Sequence, residues 1–183
     1  MRFPLIGCCL LLSAMLCGPA RSAGAAEVQY RLGEANTKVE FTGTKPGGSA
    51  HTGGFKRIGG SVVIADGFEP RIDVDIDCDS LYSDNFLLTW HLKGNDFFAV
   101  KKHPRARFTS TSVQRAASGF EVTGNLTLLG VTRPVRFPAT LVAGETLRLQ
   151  GRAVINRQDF GMTYGKGKID DAVAVVFDVN AAR

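Results

Sequence analysis

From residue 37 onward, apolar and polar side chains alternate in short runs, with turn residues every eight to twelve positions. Ile72, Val74, Ile76 and Cys78 interleave with Asp73, Asp75, Asp77 and Asp79, which sends the apolar set to one side of a strand and the carboxylates to the other. The same alternation holds Val39 with Phe41, and Ile58 with Gly60, Val62 and Ile64. It continues through Phe120, Val122, Gly124, Leu126 and Leu128, then Val135, Phe137, Ala139 and Leu141. Leu147, Leu149, Gly151, Ala153 and Ile155 follow, and Val173, Val175, Phe177 and Val179 complete the series. Many short strands with one apolar face predict an all-β chain folded as a barrel or a sandwich, since either hides those faces. Gly60, Gly124 and Gly151 interrupt strand patterns, where a sheet bends or another group approaches the backbone.

One segment breaks the alternation. Ser83-Asp84-Asn85 precedes Phe86, Leu87, Trp90 and Leu92, and Phe97 and Phe98 lie just beyond. The spacing predicts a short helix capped by Ser83, with Asp84 in its first turn and Gly94 at its end. Phe86, Trp90 and Phe97 are expected near one helical face, as a lid or plug at a barrel mouth. Lys101-Lys102-His103-Pro104 then leads back into a strand over Arg107 to Val113.

The first residues speak to compartment. Arg2, an apolar run from Leu5 to Leu16 and the small residues Ser22-Ala23-Gly24-Ala25-Ala26 have the order of a secretory signal peptide, cleaved after Ala25 or Ala26. The division expected is an export leader over residues 1–25 and one domain over 26–183. Cys8, Cys9 and Cys17 fall in the leader, leaving Cys78, which reads as a small buried hydrophobe rather than a reactive thiol. The formal net charge of +5 includes Arg2 and Arg21 of the leader, and no basic block or aromatic-interleaved stripe points to nucleic acid.

Candidate chemistry is sparse. Asp73, Asp75, Asp77 and Asp79 are two apart on one strand face, which suits a wetted surface better than a calcium site. His91 and Asp96 form a candidate acid/base pair, or His91 anchors the helix or touches a ligand headgroup. His103 reads as a turn residue and His51 as part of a glycine loop. No motif sets a nucleophile beside a base, and no two histidines hold a short metal-ligand spacing. The Gly47 to Gly54 segment, with Lys45 and Lys56, is either a flexible hairpin loop or a set of N–H groups for an anionic headgroup. Periodicity alone fits a packed core and a ligand cavity equally well.

Three runs carry a resemblance. His91-Leu92-Lys93-Gly94-Asn95-Asp96-Phe97-Phe98, continued by Lys101-Lys102-His103-Pro104 and Ala106-Arg107-Phe108, is the first. Gly124-Asn125-Leu126-Thr127-Leu128-Leu129-Gly130-Val131-Thr132-Arg133-Pro134-Val135 is the second, and Asn156-Arg157-Gln158-Asp159-Phe160-Gly161-Met162 the third. In this order they resemble the signatures of the YceI-like family over nearly the whole chain after the leader. Gly94 stands where that family usually has serine, and Ala99 where an acid is expected. The resemblance implies that the domain over 26–183 is an extended antiparallel lipocalin-like β-barrel in the periplasm, with a helical insertion near one mouth. It also implies a binding protein rather than an enzyme, with no cofactor and room for a homodimer. The ligand it implies is a polyisoprenoid, an isoprenoid quinone or a fatty-acid-like lipid held in the barrel. The residues expected to meet it are Phe41, Phe86, Trp90, His91, Phe97, Phe98, Leu126, Leu128, Phe137, Leu149, Phe160, Val175 and Phe177. Arg157 and Asp159 are expected to pair near the helical insertion and hold the barrel end. The alternative is a stress-related scaffold or partner protein with a packed barrel and no lipid.

Overall fold

A computed structural model describes residues 27–66 and 69–183, and the expected leader with its cleavage site lies outside them. The strands are β1 (Glu27–Leu32), β2 (Thr37–Thr44), β3 (Ala50–Phe55), β4 (Ile58–Ala65), β5 (Arg71–Asp77) and β6 (Leu81–Ser83). After the helix α1 (Phe86–Lys93) come β7 (Arg105–Arg115), β8 (Phe120–Leu128), β9 (Val131–Ala143), β10 (Thr146–Asn156) and β11 (Ala172–Ala182). All ladders are antiparallel, in the order β1-β4-β5-β7-β8-β9-β10-β11-β2-β3-β6. β1 and β6 share no ladder, so the sheet curls into a half-barrel open along one seam. β1 packs against β11 across the interior, and the buried Tyr30 hydroxyl donates to the Gly144 carbonyl at 2.7 Å.

The alternation read from sequence is the alternation of the concave face. Opposite each other on β10 and β11 stand Leu149 and Val179, Gly151 and Phe177, Ala153 and Val175. Val154 and Val176, one residue out of step, face solvent. The four aspartates of residues 73–79 do lie outside, but they are neutralised rather than merely wetted. Asp77 accepts from Arg57 Nε at 2.9 Å, Asp73 and Asp75 lie 3.8 Å from Arg107, and Asp79 is 3.6 Å from Lys93. Cys78, just past β5 in a 3-10 turn over Cys78–Ser80, is buried, and burial pushes its thiol pKa up to about 11.

The apolar interior divides into two layers along the barrel axis. One holds Tyr30, Val62, Val122, Phe137, Leu147, Leu149 and Val179. The other holds Ile76, Cys78, Leu92, Phe97, Phe98, Leu128, Phe160 and Met162. In the first layer aromatic rings fill the space that glycines leave empty. The Phe108 ring covers Gly124, where a Cβ would meet Phe108 Cζ at 2.5 Å, and the Phe177 ring covers Gly151 in the same way. Phe108, Phe137 and Phe177 then pack in sequence, the first pair tilted and the second edge-on, with centroids 5.6 and 5.0 Å apart. Glycine at 124 and 151 is thus required by the close approach of a ring from the neighbouring strand.

Gly151→Ala is expected to destabilise the protein by about 1–3 kcal/mol, because the new methyl overpacks against Phe177 and the Pro138 carbonyl. Adding Phe177→Leu to that variant should recover part of the loss. Urea denaturation of the wild type, Gly151→Ala, Phe177→Leu and the double variant checks this; additive losses would show that ring and glycine are not coupled.

Candidate functional site

The second layer is not filled. It encloses a cavity of about 170 Å³ walled by Val39, Phe41, Phe55, Ile76, Leu88, Leu92, Phe97, Phe98, Ala106, Leu126, Leu128, Ile155, Met162, Ile169, Val173 and Val175. Almost the whole wall is apolar, and the polar residues on its lining are Thr44, Lys45, His51 and Arg157. Its depth follows from side-chain size at successive inward positions. On β7 the wall residue Ala106 is followed two places on by Phe108, and on β11 Val175 is followed by Phe177. The packed rings of Phe108, Phe137 and Phe177 therefore act as a floor.

One wall is aromatic. Phe41, Phe55 and Phe98 form a triangle with centroid separations of 5.7 to 5.9 Å. Phe41 on β2 also covers Gly53 on β3, where a Cβ would meet the ring at 2.5 Å. The mouth-side hairpin is narrower than the loop expected over Gly47 to Gly54. Its tip spans 45–49, with Gly47 and Gly48 both at positive φ, while His51 to Gly54 belong to β3.

The helix roofs the cavity, but its cap and its buried face differ from expectation. Ser83 pairs with Gly53 in the β3–β6 ladder, so it cannot cap; Asn85 does, accepting from Leu88 N at 3.0 Å. Asp84 instead accepts from Thr52 N and from His51 Nδ1, both at 3.1 Å. Those hydrogen bonds, the backbone one foremost, hold its carboxyl below the usual range. Thr89 Oγ1 accepts from Ser83 N at 2.9 Å and fixes the roll of the helix. The stripe facing in is Leu88 and Leu92, so Phe86 and Trp90, 83% and 76% exposed, point away from the cavity. His91 also lies outside the wall. Its Nε2 is 3.1 Å from Asp96, and its ring stands edge-on to Phe97 and Tyr164.

Of the residues expected at a ligand, the cavity brings together Phe41, Phe97, Phe98, Leu126, Leu128 and Val175. Phe137, Leu149 and Phe177 belong to the filled layer beneath it, and Phe160 is buried behind the wall. Sequence reasoning passed over Val39, Phe55, Ile76, Leu88, Leu92, Ala106, Ile155, Met162, Ile169 and Val173 as wall residues. Val39, Ile76, Ile155 and Val173 belong to inward period-two series, and Leu88 and Leu92 are four apart on the helix, so a signal existed for these six.

Arg157 closes one end of the cavity as a structural group. It is 3% exposed, in a 3-10 turn over Arg157–Phe160 capped by Asn156. Its guanidinium donates to four main-chain carbonyls: Asp170 at 3.1 Å, Met162 at 2.6 Å, Tyr164 at 2.7 Å and Ile169 at 3.2 Å. Asp171 Oδ1 lies 3.0 Å away, close enough for an ion pair but not aligned as a hydrogen bond. The expected pairing with the helical insertion is indirect, through Tyr164, which packs on His91 and Phe97. Asp159 contributes through its backbone, whose carbonyl accepts from Arg133 Nε at 3.2 Å. The three sequence runs thus meet at one end of the barrel: the first gives the roof, the second Leu126 and Leu128, the third the Arg157 turn. Among the described residues, no group of three or more His, Cys, Asp or Glu side chains is arranged to hold a metal ion.

A family model described as the YceI-like domain matches residues 30–181. A UPF0312 protein of Pectobacterium carotovorum is 30% identical, over 94% of this chain and 95% of its own. Protein YceI of Salmonella arizonae is 30% identical over 88% and 90%. Among solved structures, BcnA of Burkholderia cenocepacia superposes with a TM-score of 0.73 at 25% identity, covering 80% of this chain and 96% of its own. A polyisoprenoid binding domain from Saccharophagus degradans gives 0.65 at 16% identity, covering 84% and 97%.

Arg157→Ala should cost about 3 kcal/mol of stability, because buried carbonyls lose their donor and Asp171 loses its counter-charge. Thermal and urea unfolding check this. A variant as stable as wild type would show that the 162–171 loop holds itself.

Proposed function

Because the chain belongs to the YceI-like family, we propose that it binds a lipid by enclosing part of an apolar chain in this cavity, and that it does so in the periplasm after losing its leader. The observation that carries the reading is the wall: a nearly continuous apolar surface whose polar groups other than Arg157, namely Lys45, Thr44 and His51, come from the β2–β3 hairpin. Such a division suits a molecule with a long hydrocarbon part and one polar end. Burial supplies affinity at ~0.8 kcal/mol for each methylene taken from water, and the lysine-bearing hairpin favours an anionic or strongly polar end group. The fold it shares with a polyisoprenoid binding domain supports an isoprenoid chain as the first ligand to test. Quinone tails and fatty-acyl chains offer the same surface and fall under the same reading.

Size sets the mode of binding. Pockets for drug-sized ligands run to about 300–1,000 Å³, well above 170 Å³. The cavity therefore holds one segment of the chain, and further penetration requires the floor at Phe108, Phe137 and Phe177 to move. Binding is favoured over catalysis because His51, the one histidine on the lining, is engaged by Asp84, with no nucleophile bonded to it. A packed scaffold without ligand accounts for the lower layer but not for the space above it.

Extraction of the purified protein with an apolar solvent, followed by mass spectrometry, should yield a lipid in stoichiometric amount. Leu128→Phe is expected to fold with little loss of stability and to carry none, since the added bulk enters the cavity. Leu149→Phe, in the filled layer, should instead lose about 1–3 kcal/mol. Equal destabilisation by both substitutions, with no lipid in the wild type, would sink the carrier reading.

A further inference from the structure

The helix α1 is apolar on both sides. Leu88 and Leu92 face the cavity, while Phe86, Leu87 and Trp90 stand 83%, 74% and 76% exposed. A surface helix normally keeps one apolar stripe for the core and turns polar residues outward; here Thr89, His91 and Lys93 leave an outer apolar stripe as well. Tyr164, itself 46% exposed, packs beside it on His91 and extends the patch. The remaining exposed large apolar residues, Val142, Val154 and Val176, are scattered aliphatics on strands β9, β10 and β11.

The charges bordering the patch lean positive. Asp79 and Asp171 are ion-paired with Lys93 and Arg157, while Asp84, Asp96 and Asp170 keep their charge and are hydrogen-bonded to His51, His91 and the Thr44 hydroxyl; five lysines outnumber those three carboxylates. Lys101 and Lys102 follow Val100, whose N–H is bonded to the Lys93 carbonyl at the end of α1. Lys166 and Lys168 come two and four residues after Tyr164, and Lys45 stands at the cavity mouth. All five are on the described surface, and none forms an ion pair among the described residues.

We infer that this end of the barrel docks on an anionic lipid bilayer, with Phe86, Leu87 and Trp90 entering the interfacial layer and the unpaired lysines meeting lipid headgroups. Tryptophan, phenylalanine and leucine on one side of a short helix with lysines around them is the composition that interfacial binding uses. No helix among the described residues is long and apolar enough to cross a membrane. A second copy of the chain is the less fitting occupant, because the same unpaired lysines would face one another across a two-fold axis. Docking stands independently of what the cavity holds, though it would set the roof helix against a source of lipid.

The protein as recovered from bacterial cells, wild type and Phe86→Ser/Leu87→Ser/Trp90→Ser, is sedimented with vesicles of phosphatidylglycerol and phosphatidylethanolamine, or of phosphatidylcholine alone. The wild type should bind the anionic vesicles at low salt, with Trp90 emission moving to the blue, and release as salt rises. The triple variant should bind at least tenfold less while melting at the same temperature, since the three side chains touch little of the fold. A Leu128→Phe protein should still bind, which separates docking from lipid uptake. Equal binding by wild type and triple variant would overturn the inference, as would unchanged Trp90 emission on vesicles. A wild-type dimer that the triple variant abolishes would also overturn it, by assigning the patch to a second copy.

Discussion

An eleven-stranded sheet with one apolar face has to keep that face dry, and the curl that does so leaves a seam between β1 and β6. The two halves of the interior meet this constraint differently. In the lower half, Tyr30 reaches across to the β9–β10 turn, and phenylalanine rings lie over glycines of adjacent strands. In the upper half the seam-side strands β3 and β6 are short, and the face is covered by α1 and the loop after Arg157. Covering by a helix and a loop excludes water without filling the volume beneath. The cavity is what remains between a roof anchored at its edges and a floor of packed rings.

The roof is held by polar contacts at its margins and apolar contacts at its centre. Asp84 ties the start of α1 to β3, Thr89 ties its middle to Ser83, and Gly94 ends it by donating to the His91 carbonyl. On the far side, one guanidinium gathers four carbonyls of the 162–171 segment and presents Tyr164 to the helix. Several hydrogen bonds to a single buried cation make that segment depend on one side chain, so its order and the cavity's far wall rise and fall together.

Most strands were legible because period-two alternation is a direct image of a half-buried sheet. β1 escaped although Val28, Tyr30 and Leu32 alternate with Gln29 and Arg31, because it is short and follows closely on an apolar stretch of sequence. β6, at three residues, is too brief for any periodic signal. The helix was legible as an element but not in its orientation. Phe86 and Trp90 form an apolar pair four apart, and so do Leu88 and Leu92, so periodicity cannot say which faces inward. That choice is made by Thr89, which accepts from Ser83 of the preceding β6, and by Asp84, which accepts from Thr52 on the distant β3. The floor was not legible either. Which inward residues line space and which fill it depends on rings seated over Gly124 and Gly151 from neighbouring strands, a pairing that strand register sets.

The placement of β11 beside β2 also governs when the molecule can form. Their ladder joins residues 37–42 to residues 174–179, nearly the full span of the described chain. Contacts so distant in sequence can be made only after most of the conformational entropy of the intervening segments has been given up. Val39 and Phe41 on one side of this ladder and Val175 on the other are cavity wall. The complete site can therefore not exist on a chain still being made. Competence to bind arrives in one step, late, with the eleventh strand.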